Sequence, residues 1–247
     1  MRRRFFVRAE DVGPETLRLT GDEAAHLRHV LRLSPGAQIV AFDGAGHEYE
    51  AIVSRIDADA VHCLIRCQRD AQAPPAVRIA LGQGIPKAHK LEWVIQKTVE
   101  LGVAEIVPLQ SARVLPQPVE RAAASKHTRW ERIAREACKQ SGRSTVPRLW
   151  PVTPLEEFFA AFRMDDLKLV LWEAERTRGL RGVLEADARV ATASVAVGPE
   201  GGFAREEIEC GEAYGFLPVS LGARILRTET AGLVMVSLLQ YRFGDLG

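Results

Sequence analysis

The pattern of this chain changes character at Pro74-Pro75, and no other feature constrains its fold as much. Before that point, short runs follow one another with turn residues between them. Phe5 to Arg8, Ile39 to Phe42, Tyr49 to Ile56 and Val61 to Cys67 read as strands, broken by Asp43-Gly44-Ala45-Gly46 and Asp57-Ala58-Asp59, with a short helix over Gly21 to Leu31. Strands in such quick succession predict a small β-barrel. After that point strand and helix patterns alternate. Val77 to Leu81, Glu105 to Leu109, Val146 to Trp150 and Lys168 to Trp172 read as strands; Lys87 to Leu101, about Val119 to Gln140, and Pro154 toward Phe162 read as helices. That alternation is the signature of an α/β domain with a parallel sheet. The expected division is one unit over 1–72 and a second over 76–247, with Asp70 to Pro75 as the linker.

Two loops of the second unit concentrate the chemistry. Gly198-Pro199-Glu200-Gly201-Gly202-Phe203 follows the apolar run Ser194 to Val197. Leu221-Gly222-Ala223-Arg224-Ile225-Leu226-Arg227-Thr228-Glu229-Thr230-Ala231 follows Leu217 to Ser220, where Pro218 weakens the strand reading. Each loop precedes a run with helical periodicity, the last being Thr228 to about Tyr241, apolar on nearly every side and so expected to be buried, against a second copy of the chain for instance. Open α/β sheets bind ligands beyond the carboxyl ends of their strands, which is where such loops sit. Glycines leave the backbone uncovered, so its N–H and C=O groups can approach a flat ligand closely; a simple tight turn is the plain alternative. The second loop adds hydroxyls, a carboxylate and guanidinium groups, suited to an anionic polymer and a reacting base. Triphosphate and dinucleotide binding fit poorly: no GxxxxGK[ST] occurs, and Gly82-Gln83-Gly84-Ile85-Pro86-Lys87 lacks a third glycine.

A net charge of +1 argues against coating nucleic acid by bulk electrostatics, so local distribution decides. Residues 1–8 hold four arginines and no acid, and residues 121–143 hold seven basic groups against two acids. In the second stretch Trp130, Ile133, Ala134, Ala137 and Cys138 form one apolar helical stripe, with Arg132, Arg135 and Lys139 opposite. A solvated charged face usually explains such a pattern; its sign bias favours RNA contact. Cys63, Cys67, Cys138 and Cys210 show no CxxC spacing. Cys63 and Cys67 would share one face of a strand, but as small apolar residues of a reduced core they predict neither a metal nor a disulfide. No apolar run reaches bilayer length and no secretory h-region follows Arg2-Arg3-Arg4, so the expected location is cytoplasmic, away from membranes.

The two loops, with Arg3-Arg4-Phe5-Phe6-Val7, His29-Val30-Leu31-Arg32, Lys90 to Lys97 and Glu136 to Arg143, carry a resemblance that runs the whole chain. It is to the SPOUT-class RNA methyltransferases, and within them to the ribosomal RNA small subunit methyltransferase E family, which methylates uridine N3 in 16S rRNA. Ala223 departs from the family pattern, where proline or another residue is expected, without touching a polar role. The resemblance implies a PUA-like barrel that positions RNA, a C-terminal α/β domain closed by a trefoil knot, a homodimer, and S-adenosylmethionine as cofactor. The substrate it implies is 16S rRNA, within the assembled small subunit.

Transferred to this chain, the cofactor contacts are Leu171, Trp172, Gly198, Pro199, Glu200, Gly201, Gly202, Leu221, Gly222, Ile225, Leu226 and Thr230, with Glu173 beside them. Methylation at N3 requires loss of the imide proton while charge spreads onto O2 and O4, which calls for a base and a cation. Glu229 is the leading base and Glu200 the alternative; Arg227 is the cation; Thr228 or Thr230 would position. A carboxylate that merely complements a helix N-terminus is the competing account of Glu229, and an ion pair with it that of Arg227. The RNA contacts implied are Arg3, Arg4, His29, Arg32, Lys87, Lys90, Arg132, Arg135, Lys139 and Arg143. Histidines such as His26 and His29 more often pack or cap within a helix. A noncatalytic RNA-binding or ribosome-assembly protein, or an enzyme acting on another base or a ribose 2′-OH, are the alternatives.

Overall fold

The computed structural model describes residues 3–70, 76–113, 120–186 and 189–246, without the side chains of 70 and 120–123. Most of the expected linker and the expected helix start at Val119 lie outside the described residues. The chain forms two compact units, one of residues up to 73 together with Arg135–Val146, the other of the remainder.

The first unit is a five-stranded sheet built from β1 (Arg4–Phe6), β2 (Thr16–Thr20), β3 (Gln38–Phe42), β4 (His47–Ile56) and β5 (Ala60–Asp70), in the order β1-β3-β4-β5-β2. Only β1 and β3 run parallel. Helix α1 (Gly21–Ala25) continues into a wider π-type turn over His26–Val30. Thr16-Leu17-Arg18-Leu19-Thr20 is a strand that the sequence reading lacks, and its alternation is plain in hindsight. Leu17 and Leu19 are buried with Phe5, Leu27, Val53 and Val61, and the polar residues between them face out. Two bulges interrupt the β4–β5 ladder, where Arg66 and Ser54 have no partner. The bulge at Arg66 reverses the alternation, so Cys63 is buried while Cys67 is exposed. The expectation that they share a face is thereby corrected. Burial pushes the Cys63 thiol up to about 12.

The second unit contains β6 (Arg78–Gly84), α2 (Lys90–Glu100), β7 (Glu105–Gln110), α3 (Glu120–Ser141, whose last turns belong to the first unit), β8 (Arg148–Leu149), β9 (Thr153–Pro154) and α4 (Leu155–Ala161). It continues through β10 (Leu167–Leu171), α5 (Leu180–Ala186), β11 (Thr192–Val197), α6 (Arg205–Ala213), β12 (Leu217–Val219) and α7 (Thr228–Phe243). The strands pair in parallel in the order β12-β10-β11-β6-β7-β8, with β9 also on β7. Pro218 is tolerated because β12 is an edge strand, paired only with β10. Val107, Leu109, Phe158, Phe159, Phe203 and Phe216 pack one face of the sheet. Helix α2 begins at Lys90 rather than at Lys87, because Ala88 has a left-handed φ of 58°. Among the described residues no helix is long and apolar enough to cross a membrane.

Candidate functional site

The two loops leave β11 and β12 at the same edge of the sheet and enclose one cleft. It has a volume of about 520 Å³ and is lined by residues 171–173, 176, 197–202 and 219–229 together with Lys90 and Ala231. That size is ordinary for a cofactor pocket, which typically spans about 300 to 1,000 Å³. Local geometry explains the glycines. Gly202 has φ 67°, and the Glu173 carboxylate occupies the place of a Cβ there; Gly222 has φ 117°. At the end of β6, a Cβ on Gly84 would collide with the backbone of Gly198 and Pro199, so the first loop rests directly on the strand. Buried Phe203 anchors the far end of that loop in the core.

A buried polar tie holds the two loops together. Gln83 Nε2 donates to Thr228 Oγ1 at 2.7 Å, and the Thr228 hydroxyl donates to the carbonyl of Gly198. Strand β6, the first loop and the start of α7 are thus joined by two hydrogen bonds, the first buried and the second partly so, where each is worth more than in water and an unmade one costs more. The signal for Gln83 was a lone amide inside an otherwise apolar strand. Thr228 lines the cleft, whereas Thr230 is exposed and does not, so of the two candidate positioning hydroxyls the structure brings Thr228 to the site.

Lys90 organises the acids. Its Nζ lies 3.2 Å from Glu229 Oε1 and 3.7 Å from Glu200 Oε1, and Glu200 Oε1 also accepts the backbone N–H of Lys87 at 2.9 Å. Expected among the RNA contacts, Lys90 instead bridges the two candidate bases, and Lys87 contributes its amide. Burial alone would push the Glu229 carboxyl up. Its own backbone amide, Lys90 and Arg227 outweigh that and hold it below the ordinary carboxylate range. Glu229 Oε2 is buried without a hydrogen-bond partner, while Oε1 faces Lys90. Arg227 is exposed at the N-cap of α7.

The remaining RNA candidates divide. Arg4 is spent inside the first unit: it pairs with Glu48 at 2.7 Å, donates to the Arg143 carbonyl and to Ser144 Oγ, and lies over the Phe42 ring. Lys139, its side chain 11% exposed, lies 2.8 Å from Glu136 and 3.0 Å from Glu23. Burial works against its charge, but those two carboxylates outweigh it and raise its pKa. Arg135 is half-buried over the Phe6 ring, and Arg143 is half-buried. Arg3, His29, Arg32 and Arg132 are exposed. The basic helix face is therefore partly internal: four of the candidates brace the protein or are half-covered by it.

Comparison with known proteins follows this geometry closely. Residues 73–240 match the family model of an RNA methyltransferase domain, and residues 19–66 that of an RNA methyltransferase PUA domain. The ribosomal RNA small subunit methyltransferase E of Bacillus subtilis (strain 168) is 31% identical over 231 residues, 92% of this chain and 90% of that protein. The protein of the same name from Neisseria gonorrhoeae, solved bound to S-adenosyl methionine, is 31% identical with a TM-score of 0.87 over 100% of both chains. A Legionella pneumophila protein solved in complex with the cofactor SAM is 34% identical with a TM-score of 0.91, again over 100% of both.

Proposed function

The chain belongs to the RNA methyltransferase family that carries a PUA domain, and we propose that within it this protein methylates N3 of one uridine in 16S rRNA. Its similarity to methyltransferases of small-subunit rRNA, one of them solved with S-adenosyl methionine bound, makes it an S-adenosylmethionine-dependent methyltransferase of that RNA. The residues present fit that cofactor. Gly222, left-handed and with open space where a Cβ would stand, opens one wall of the cleft to backbone contact, and the volume suits a nucleoside with an amino-acid tail. Leu171, Trp172, the backbone of 198–202 and that of 221–226 would hold it, and it supplies a methyl group already activated by its sulfonium.

This chain's task is then alignment and proton management. In the proposed mechanism, the carboxylate of Glu229 accepts the N3 proton, and Lys90 holds its Oε1 at the cleft wall. Arg227, beside it, opposes the charge that spreads over the carbonyl oxygens. Glu200 is the weaker candidate for base, since its Oε1 already ties the first loop to Lys87. The single observation that carries the reading is the convergence of both loops on one cleft with the Glu229 carboxylate beside Lys90 at its wall.

A homodimer, a trefoil knot and a cytoplasmic location belong to the same proposal. Exposed Leu238 and Tyr241 on α7 and Trp93 on α2 support the first. The test is transfer of labelled methyl from S-adenosylmethionine to small subunits purified from a strain lacking the modification, followed by mapping of the product. Label at uridine N3 is the expected result. Label on another base or on a ribose 2′-OH would redirect the chemistry, and RNA binding without transfer would favour an assembly role.

A further inference from the structure

Arg176 and Arg224 line the cleft, and neither has a part in the mechanism above. Both are exposed, and among the described residues no carboxylate lies within ion-pair distance of either. Other arginines do have carboxylate partners: Arg18 pairs with Asp11, Arg55 with Asp57, Arg78 with Glu105, Arg129 with Glu92. The acids nearby are otherwise engaged. Glu200 and Glu229 converge on Lys90, Glu173 lies against Gly202, and Glu175 closes its own turn.

The two guanidinium groups spring from backbone that is fixed. Glu175 Oε1 accepts from the Thr177 amide at 2.6 Å, the Thr177 hydroxyl at 2.7 Å and the Arg178 amide at 3.0 Å. The segment bearing Arg176 is laced to the second loop: the Ser220 amide donates to the Arg178 carbonyl at 3.0 Å and the Leu180 amide to the Ser220 carbonyl at 3.1 Å. Gly222, two residues before Arg224, donates to Ser220 Oγ at 3.2 Å. Fixed backbone lowers the ordering cost of binding. An unpaired guanidinium keeps its planar fork of donors for an anion, and phosphate accepts it bidentately. A base that enters a pocket brings its backbone phosphates to the rim.

We propose that Arg176 and Arg224 form a phosphate clamp at the rim of the cleft, gripping the backbone of the RNA strand whose target base enters it. The clamp rests on the reading of RNA as substrate given above. The other anion within reach is the carboxylate of the cofactor, and the test separates the two.

Wild type and the double variant Arg176→Glu/Arg224→Glu are compared by anisotropy with a labelled uridine-containing oligoribonucleotide, and by competition with purified small subunits. Both are saturated with the demethylated cofactor and titrated across potassium chloride. Each phosphate contact contributes about 0.7 to the slope of log affinity against log salt for single strands, so the slope should fall by about 1.4, with affinity down about tenfold or more at low salt. Calorimetry should find cofactor affinity within about twofold of wild type, which also shows that the variant is folded, and the double arginine-to-lysine variant should keep the slope. An unchanged slope overturns the clamp, as does a loss of cofactor affinity equal to that for RNA, which would assign both arginines to the cofactor carboxylate. If wild type methylates rRNA while the slope stays unchanged, the clamp alone fails. If wild type neither transfers methyl nor binds either RNA, the functional reading falls with it.

Discussion

Arg4 and Lys139 in the first unit and Arg176 and Arg224 in the second carry the same charge to opposite ends. The first pair is enclosed by carboxylates and carbonyls and braces a sheet; the second pair stands free at the wall of a cleft. In sequence the first pair reads as RNA contacts because both lie in runs of basic residues; Arg224 is marked only as one of the guanidinium groups of its loop, and Arg176 stands among mixed neighbours with nothing to single it out. Local sign bias counts charges; it does not say which are already satisfied. An acid distant in sequence, such as Glu48 for Arg4 or Glu23 for Lys139, settles that, and only folding brings it near.

The comparison can be broken or sharpened by substitution. The largest effect should come from Glu229→Gln, the leading base, whose side chain lines the cleft beside Lys90. Methyl transfer should fall about 100- to 10,000-fold in single-turnover assays, with cofactor affinity by calorimetry little changed. A loss below tenfold would return Glu229 to a helix-terminal role.

Next in size, Lys139→Met leaves Glu23 covered and without its cation. It should cost about 3 kcal/mol in urea unfolding, while RNA affinity of the folded protein shifts by less than about twofold. If affinity drops with little change in stability, Lys139 belongs with the free charges after all. Thr228→Val removes both hydrogen bonds of the buried tie and should weaken cofactor binding about tenfold, since an amide and a carbonyl lose their partner; Thr230→Val should leave it unchanged.

The pH profile offers a smaller but sharper measurement. A carboxylate with a depressed pKa in the folded state keeps its contribution above its ordinary value near 4.5 and loses it as pH falls through the depressed value. The acid limb of kcat/KM due to Glu229 should therefore lie below pH 4.5 in the wild type and move upward in Lys90→Met, which removes one of the cations that depress it. No movement would separate Lys90 from the chemistry. Smallest of all, Arg132→Ala on the exposed side of α3 should change stability by less than about 0.5 kcal/mol.

Much of the second unit was legible because a buried parallel sheet imposes continuous apolar runs: β6, β7, β10 and β11 stand where such runs occur, and both glycine loops were visible as strand-to-helix connections. Strand β8 falls within the run read at Val146 to Trp150, but helix α5 and the two-residue strand β9 were not legible, since so short an element shows too few turns or alternations to register as periodic. In the first unit, bulges defeated the period-2 reading of the cysteines, because one extra residue exchanges inside for outside. For the site, the backbone-bearing residues were found from composition. The role of Lys90 as a bridge was not, because its two partners lie more than a hundred residues away along the chain.

Gly202 deserves a last consequence. Its φ of 67° strains most side-chain-bearing residues, whereas the Glu173 carboxylate that a methyl group there would meet is the end of an exposed, flexible side chain and can swing aside, so the backbone is what guards the position. Natural variation and laboratory libraries alike should find this one site closed while its neighbours on the loop remain negotiable. Any residue that does appear at 202 should be one that tolerates a left-handed backbone, such as asparagine, and the residue at 173 should vary independently of it.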